Sequence, residues 1–420
     1  MVENRKDVCN DQTMTGPAQI TYHYERWRAV SSGILETALT TFLILIAVRV
    51  FEADATSKAL VAGSGSFGML FTPWLVSRVE AAGWTTSRVT SLLSMVGAVC
   101  FLVAAFVQTL PVFVICSVLG IAVIASTIPF LTQIYQDNYP AAERGQLFGR
   151  TVRIRVATAM IFGLVAGQFL ADDMDRFPWL LLSFAAACGF SGWCFAHYPS
   201  RPLPESGSTH PFRALQYVRQ DPIFRWTLIS WMFVELANLM MGPLRVEYLA
   251  NPRFNMTYDA ATIALLTSVV PNTVRLMLTT TWGWFFDRMN FFAFRIILNL
   301  GFALGIVTFF IGNSMTGLVI GAVIFGIGNA GGDVAWSLWV TKFAPPGRVA
   351  DYMSVHTFFT GIRGVIAPMI AFHMVGVVSI GTLGWISAGL IAAASLMLFP
   401  EVRAGRKTPM GTMPVDEIPK

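Results

Sequence analysis

Twelve apolar stretches alternate with short polar gaps along the chain, at 29–51, 58–77, 88–110, 111–136, 147–171, 177–197, 223–249, 259–286, 291–313, 315–341, 351–379 and 380–400. A helix of about 20 apolar residues crosses a hydrocarbon core of about 30 Å, so each stretch can be one membrane span. With twelve spans, both termini and the even-numbered gaps share one side of the bilayer, and the odd gaps share the other. When each Lys or Arg towards the end of a stretch is counted with the adjoining gap, only Arg49, Lys58, Arg176, Arg245 and Arg253 of the 29 belong to odd gaps, and only Arg275 and Arg363 are left deep inside spans. The remainder lie at the termini or in even gaps. By the positive-inside rule this predicts an integral protein of the cytoplasmic (inner) membrane, or one derived from it, with both termini in the cytoplasm.

Composition agrees with that class. The chain is 55% hydrophobic and 13% charged, with a mean hydropathy of +0.60, outside the usual range of a soluble domain. The net charge of +5 is accounted for by the cytoplasmic gaps and does not signal nucleic-acid binding. The polar segment 1–27 is expected to be a cytoplasmic tail, without a cleavable signal peptide. The five Cys residues have neither metal-ligand nor disulfide-framework spacing. The longest gap, 198–222, is rich in Pro and Ser and then turns amphipathic, with Phe212, Leu215 and Val218 on one face. It reads as a cytoplasmic linker ending in a short surface helix. It divides the chain into six-span bundles at 28–197 and 223–400, followed by a cytoplasmic tail at 401–420.

The halves repeat one another. NYPAAERGQLFG (138–149) precedes span 5 and KFAPPGRVADYM (342–353) precedes span 11, so that an aromatic residue, Pro and Arg recur when Arg144 is set on Arg348. GWFFDRMN (283–290) follows span 8, and its counterpart after span 2 has Ser77-Arg78 where Asp287-Arg288 would fall. Glu36 in GILETAL of span 1 matches Glu235 in MFVELAN of span 7. Parallel six-span repeats with a site at their interface describe one large transporter architecture. On these residues the chain resembles the major facilitator superfamily across 28–400. GWFFDRMN resembles its G-x-x-x-D-R loop signature, with Asn290 in place of the usual Gly and a degraded first-half copy at Ser77-Arg78. The resemblance implies an all-α membrane protein with twelve transmembrane helices in two pseudo-symmetric six-helix bundles. It implies that helices 1, 4, 7 and 10 line a central cavity, flanked by 2, 5, 8 and 11. Arg78, Asp287, Arg288, Arg144 and Arg348 are then expected to act as a cytoplasmic gate.

Ionisable groups at bilayer depth are costly and call for a reason. At about 1.5 Å per residue from the cytoplasmic ends, Glu36 lies roughly 12 Å deep, Glu235 and Asp333 about 15 and 14 Å, and Arg275 and Arg363 about 18 Å, around a midplane near 15 Å. Pairing between helices could neutralise some of them, but three acids against two bases leave one carboxylate over. In low dielectric such a group can exchange a proton near neutral pH; Glu36 and Glu235 are the candidates. Asn238, Asn329 and Trp336 are expected beside them as substrate contacts, with Asn272, Gln133 and Tyr135 as further polar neighbours.

The leading expectation is a secondary transporter of a small molecule or ion, proton-coupled and functional as a monomer in the lipid bilayer. Neither cofactor nor metal is expected. GIGNAG (326–331) fits a dinucleotide-loop pattern but lies inside a membrane span with no preceding strand. No Walker A sequence occurs, so ATP cannot drive transport directly within this chain. The alternatives are a transporter-like sensor and a membrane-embedded enzyme. The enzyme would need a clustered catalytic or metal-ligand set, which five scattered His do not supply.

Overall fold

The computed structural model describes residues 16–140, 143–203, 215–311, 314–342, 344 and 349–403. Among these, eleven helices are long and apolar enough to cross a membrane, and a bent pair brings the number of spans to twelve. They are α1 (Gly16–Arg49), α2 (Ala55–Ala62 and Ser64–Ala81, bent by 55°), α3 (Thr86–Phe106), α4 (Leu110–Asn138), α5 (Arg144–Asp172) and α6 (Phe177–Ala196). The second half follows with α7 (Pro222–Ala250), α8 (Ala260–Phe286), α9 (Phe291–Ile311), α10 (Met315–Leu338), α11 (Val349–Met374) and α12 (Ile380–Arg403). The chain is thus an all-helical integral membrane protein. One helical stretch, Gln216–Gln220, precedes α7; the preceding linker positions 204–214 lie outside the described residues.

The repeat read from sequence is reproduced in packing. In the first half α1 packs on α5 and α6, α3 on α4 and α6, and α2 on α4; in the second half α7 packs on α11 and α12, α9 on α10 and α12, and α8 on α10. Adding six to each helix number of the first set yields the second. The halves meet through the matching pairs α2–α11 and α5–α8. Small residues allow this approach: a Cβ on Gly163 of α5 would stand 2.7 Å from Ser268 Oγ of α8, and one on Gly364 of α11 1.9 Å from Ser66 Oγ of α2.

Several helix ends depart from the apolar stretches. Helix α1 begins at Gly16, well before position 29. Its polar first turns are paid for by partners: buried Glu25 pairs with Arg28 at 2.6 Å and accepts hydrogen bonds from the hydroxyls of Tyr135 and Tyr198. The 1–27 tail expected from hydropathy is therefore in part the start of α1. Asp54 caps α2 through the amides of Thr56 and Ser57, and Asp259 caps α8 through that of Thr262. Hydrogen bonding from Ser57 and from Thr262, respectively, holds these two carboxyls below their ordinary value.

The buried core shows how the halves sit. From midplane to the face opposite the chain ends, one continuous apolar cluster draws on both halves, including Phe42, Ile46, Phe113 and Leu170 with Met241, Leu249, Ile263 and Phe372. Towards the face bearing the ends it divides. Phe224, Trp231, Phe291, Trp339 and Tyr352 form a core within the second half, while Tyr22, Tyr135, Phe130, Ile134 and Phe195 belong to smaller clusters within the first. Side-chain contacts tie the far side: Arg49 donates to the carbonyls of Ala250 and Tyr258, and Lys58 pairs with Glu247 at 2.7 Å. Among the described residues the molecule is closed at the far face, and the halves part on the side of the chain ends, where their cores are separate, leaving a cleft between them.

Candidate functional site

At the inner end of the cleft two helices depart from α geometry. Ala38–Phe42 of α1 and Leu265–Val269 of α8 are π-helical, and they touch through the Thr41 and Thr267 hydroxyls at 3.0 Å. An inserted residue widens a helix turn and re-aims the side chains beside it, a device common at functional sites. Glu36 lies just before the first π segment and Arg275 just beyond the second.

These side chains meet across the two halves. Arg275 donates from Nε to Asp333 Oδ2 at 2.5 Å and from Nη1 to Glu36 Oε1, with Asn272 Oδ1 3.3 Å from the same Nη1. Arg155 Nε of α5 stands 3.1 Å from Glu36 Oε2, off hydrogen-bonding alignment but at ion-pair distance. The close α1–α5 packing brings it there: a Cβ on Gly33 would stand 2.4 Å from the Arg155 carbonyl. In the Arg155–Glu36–Arg275–Asp333 chain, the last three residues line a cavity of about 230 Å³, together with Thr40, Arg245, Thr267, Asn272 and Asn329.

Glu235 and Arg363 lie elsewhere, within the second half. Arg363 is buried and donates from Nη2 to Thr360 Oγ1 at 2.7 Å. Buried Arg295 lays its guanidinium 3.3 Å from the centroid of the Trp231 ring. The Trp231 indole donates to His356 Nε2 at 3.3 Å, and His356 is enclosed by the rings of Trp231, Trp336 and Trp339. Glu235 is half-buried and within electrostatic reach of Arg295 and Arg363. It has no cation within 4 Å among the described residues. Asn238 Oδ1, one turn along, is buried without a hydrogen-bond partner.

The five charges expected at one plane thus form two groups, and Arg275 pairs with Glu36 and Asp333 rather than with Glu235. The expected surplus carboxylate is also corrected. Arg155, Arg245 and Arg295, counted with the adjoining gaps although they lie within stretches 147–171, 223–249 and 291–313, sit inside α5, α7 and α9, and their inclusion makes cations outnumber acids. Arg155 is counted as loop charge although it lies within stretch 147–171, and with α5 starting at Arg144 it stands roughly 16 Å along the helix. A signal was present: Arg155 adjoins the buried positions Val156, Ala159 and Gly163, a small-residue stripe expected to pack on another helix.

Of the expected gate residues, exposed Arg78 and Arg288 cover the rings of Trp74 and Trp284, and Arg144 donates to the carbonyls of Gln136 and Tyr139 at the end of α4. Arg348 and the Asp287 side chain lie outside the described residues.

No family model matches the chain, and no curated protein matches it. Solved structures do. The nucleoside transporter NupG superposes with a TM-score of 0.70 at 15% identity, covering 91% of this chain and 99% of its own. The xylose transporter XylE from E. coli, in a partially occluded inward open conformation, gives 0.67 at 14% identity, with 92% and 98% covered. A bacterial homolog of the human lysosomal transporter Spinster, inward-facing and occupied, gives 0.69 at 14% identity, with 94% and 100% covered. Together with the twelve helices and their repeated packing, these matches identify the fold as that of the major facilitator transporters.

Proposed function

We propose that this chain is a secondary transporter that carries a small polar solute by alternating access, with protonation of a central carboxylate as the coupling step. The observation that supports this best is the charged chain Arg155–Glu36–Arg275–Asp333, which joins the two halves beside a cavity at the end of a one-sided cleft. Rocking the halves about that region would close the cleft and open the far face. The charge bias of the gaps supports placing the chain ends, and hence the cleft, on the cytoplasmic side of an inner membrane. The six-helix units 28–197 and 223–400, joined by 198–222, are then the moving bodies, and a single copy contains the whole pathway.

Among the central acids Glu235 suits the proton best. Glu36 and Asp333 are engaged by Arg275, whereas Glu235 can gain or lose a proton without breaking an ion pair within 4 Å. Its protonation would change the field at Arg295 and Arg363 and so bias the packing of α7 against α9 and α11. The cytoplasmic gate would form from Arg78, Arg144, Asp287, Arg288 and Arg348 when the cleft closes. The test is tracer uptake by proteoliposomes across a panel of polar solutes, with and without an imposed pH gradient. Wild-type protein is expected to accumulate at least one solute in response to the gradient. Glu235→Gln is expected to lose the response while retaining exchange. Gradient-driven accumulation that survives Glu235→Gln refutes the coupling role.

A further inference from the structure

The cavity beside Arg275 has a chemical bias that narrows the solute. Two carboxylates, Glu36 and Asp333, face it, and Arg275 is engaged by both. Arg155 stands against the other oxygen of Glu36. Arg245 enters from α7 and has no carboxylate within ion-pair distance among the described residues. Its guanidinium lies 4.4 Å from the Phe325 ring centroid, its Nε donates to the Gly242 carbonyl at 3.3 Å, and its Nη1 is closed off from solvent without an acceptor. With Arg155 counted through its pairing with Glu36, the network at the cavity sets three guanidiniums against two carboxylates and carries one positive charge in excess.

A cation in a poorly hydrated cavity needs an anion or hydrogen-bond acceptors to offset its lost hydration. Arg is the side chain best shaped to hold a carboxylate, through two parallel N–H···O bonds. On the reading of this chain as a transporter, we infer that the solute is a small organic monocarboxylate whose carboxylate seats on Arg245. Asn272 and Asn329 supply hydrogen-bonding groups for the remainder of the molecule. One negative charge completes the neutralisation; a cation would increase the excess, and a neutral solute would leave it uncompensated. The cavity of about 230 Å³ lies below the roughly 300–1,000 Å³ of drug-sized sites, which favours a compact solute.

The test compares each acid with its own amide. Detergent-purified full-length protein is titrated with lactate, pyruvate, nicotinate and benzoate, and with lactamide, pyruvamide, nicotinamide and benzamide, with thermal unfolding as the readout. At least one acid is expected to raise the Tm saturably and its amide to bind at least about tenfold more weakly. Arg245→Gln should cost that acid about tenfold or more in affinity, and Arg245→Lys should restore part of it. Equal binding of acid and amide, no acid binding, or undiminished acid binding by a monodisperse Arg245→Gln protein each overturns the inference. If Arg245→Gln does not fold, the acid–amide comparison on wild-type protein decides. Uptake of the same acids, and of neutral xylose and uridine, into proteoliposomes separates this inference from the reading beneath it. Movement of neutral solutes without acid binding leaves transport standing and the carboxylate site refuted. Selective acid binding with no movement of any solute leaves the site standing and transport refuted.

Discussion

Replacing Glu247 by Gln should unlatch the far face. Lys58 of α2 and Glu247 of α7 pair at 2.7 Å, and both are buried, with exposures of 7% and 0%. Asn251 also donates to the same Glu247 oxygen at 2.9 Å, and Arg253 stands 3.6 Å away. Because the pair joins the two halves, it exists only while the far face is closed; opening hydrates both ions. Removing one partner of a buried pair costs about 3–5 kcal/mol because the other charge is left uncompensated. Glutamine keeps a hydrogen-bond acceptor, which puts Glu247→Gln at the lower end, about 3 kcal/mol. That loss falls mainly on the closed state and corresponds to a shift on the order of 100-fold. A closed population of about 99% would drop to about one half.

The assay is electron–electron distance measurement between spin labels at Asp175 and Val377, exposed positions at the far ends of the two halves, in a background lacking the five cysteines. Wild-type protein should give mainly the short distance, and Glu247→Gln a second, longer component of similar weight. The double variant Lys58→Met/Glu247→Leu removes both charges and should move the distribution less than Glu247→Gln alone. Distributions unchanged by Glu247→Gln, or a larger shift in the double variant, would refute the latch.

Other outcomes follow from the same geometry. Arg275→Gln leaves Asp333 without its 2.5 Å partner and Glu36 with only Arg155; it should reduce transport at least tenfold, read as the initial rate of tracer uptake. Gly163→Leu places a side chain where even a Cβ would stand 2.7 Å from Ser268 Oγ, so it should hold α5 and α8 apart and lengthen the distance between the far-face labels. Asp259→Ala removes the cap of α8 and should cost about 1 kcal/mol at neutral pH. Since the native carboxyl is held below its ordinary value by Thr262, that stabilisation is present above the unfolded-state carboxyl pKa and fades as pH falls through the lower folded value. The Tm difference between wild type and Asp259→Ala should therefore shrink on strong acidification.

Hydropathy revealed the spans and the repeat because both depend on apolar length and on loop charge, which are local properties. It placed helix ends poorly because lipid is not the only environment that accepts a helix. The polar start of α1 is held by Glu25, Arg28, Tyr135 and Tyr198, and the charged start of α5 runs beside the cleft. Counting Arg155 and Arg295 as loop charge, although both lie within apolar stretches, kept them off the list of intramembrane charges. Arg245 was counted with the following gap although both stretch 223–249 and α7 contain it, and Glu247 drew no notice beside it. Which acid meets which base could not be read from depth alone. Glu36 and Arg275 are separated by 239 positions, and their meeting depends on two π segments with no evident sequence signature.

The central claim, alternating access around a central site, is tested most directly by trans-stimulation. Proteoliposomes are preloaded with an unlabelled transported solute, and initial uptake of the same solute in labelled form is compared with that into empty vesicles. A carrier that must reorient with its site predicts saturable uptake accelerated by internal solute. Uptake that is unsaturable and indifferent to internal solute, or absent across the solute panel, would contradict the account.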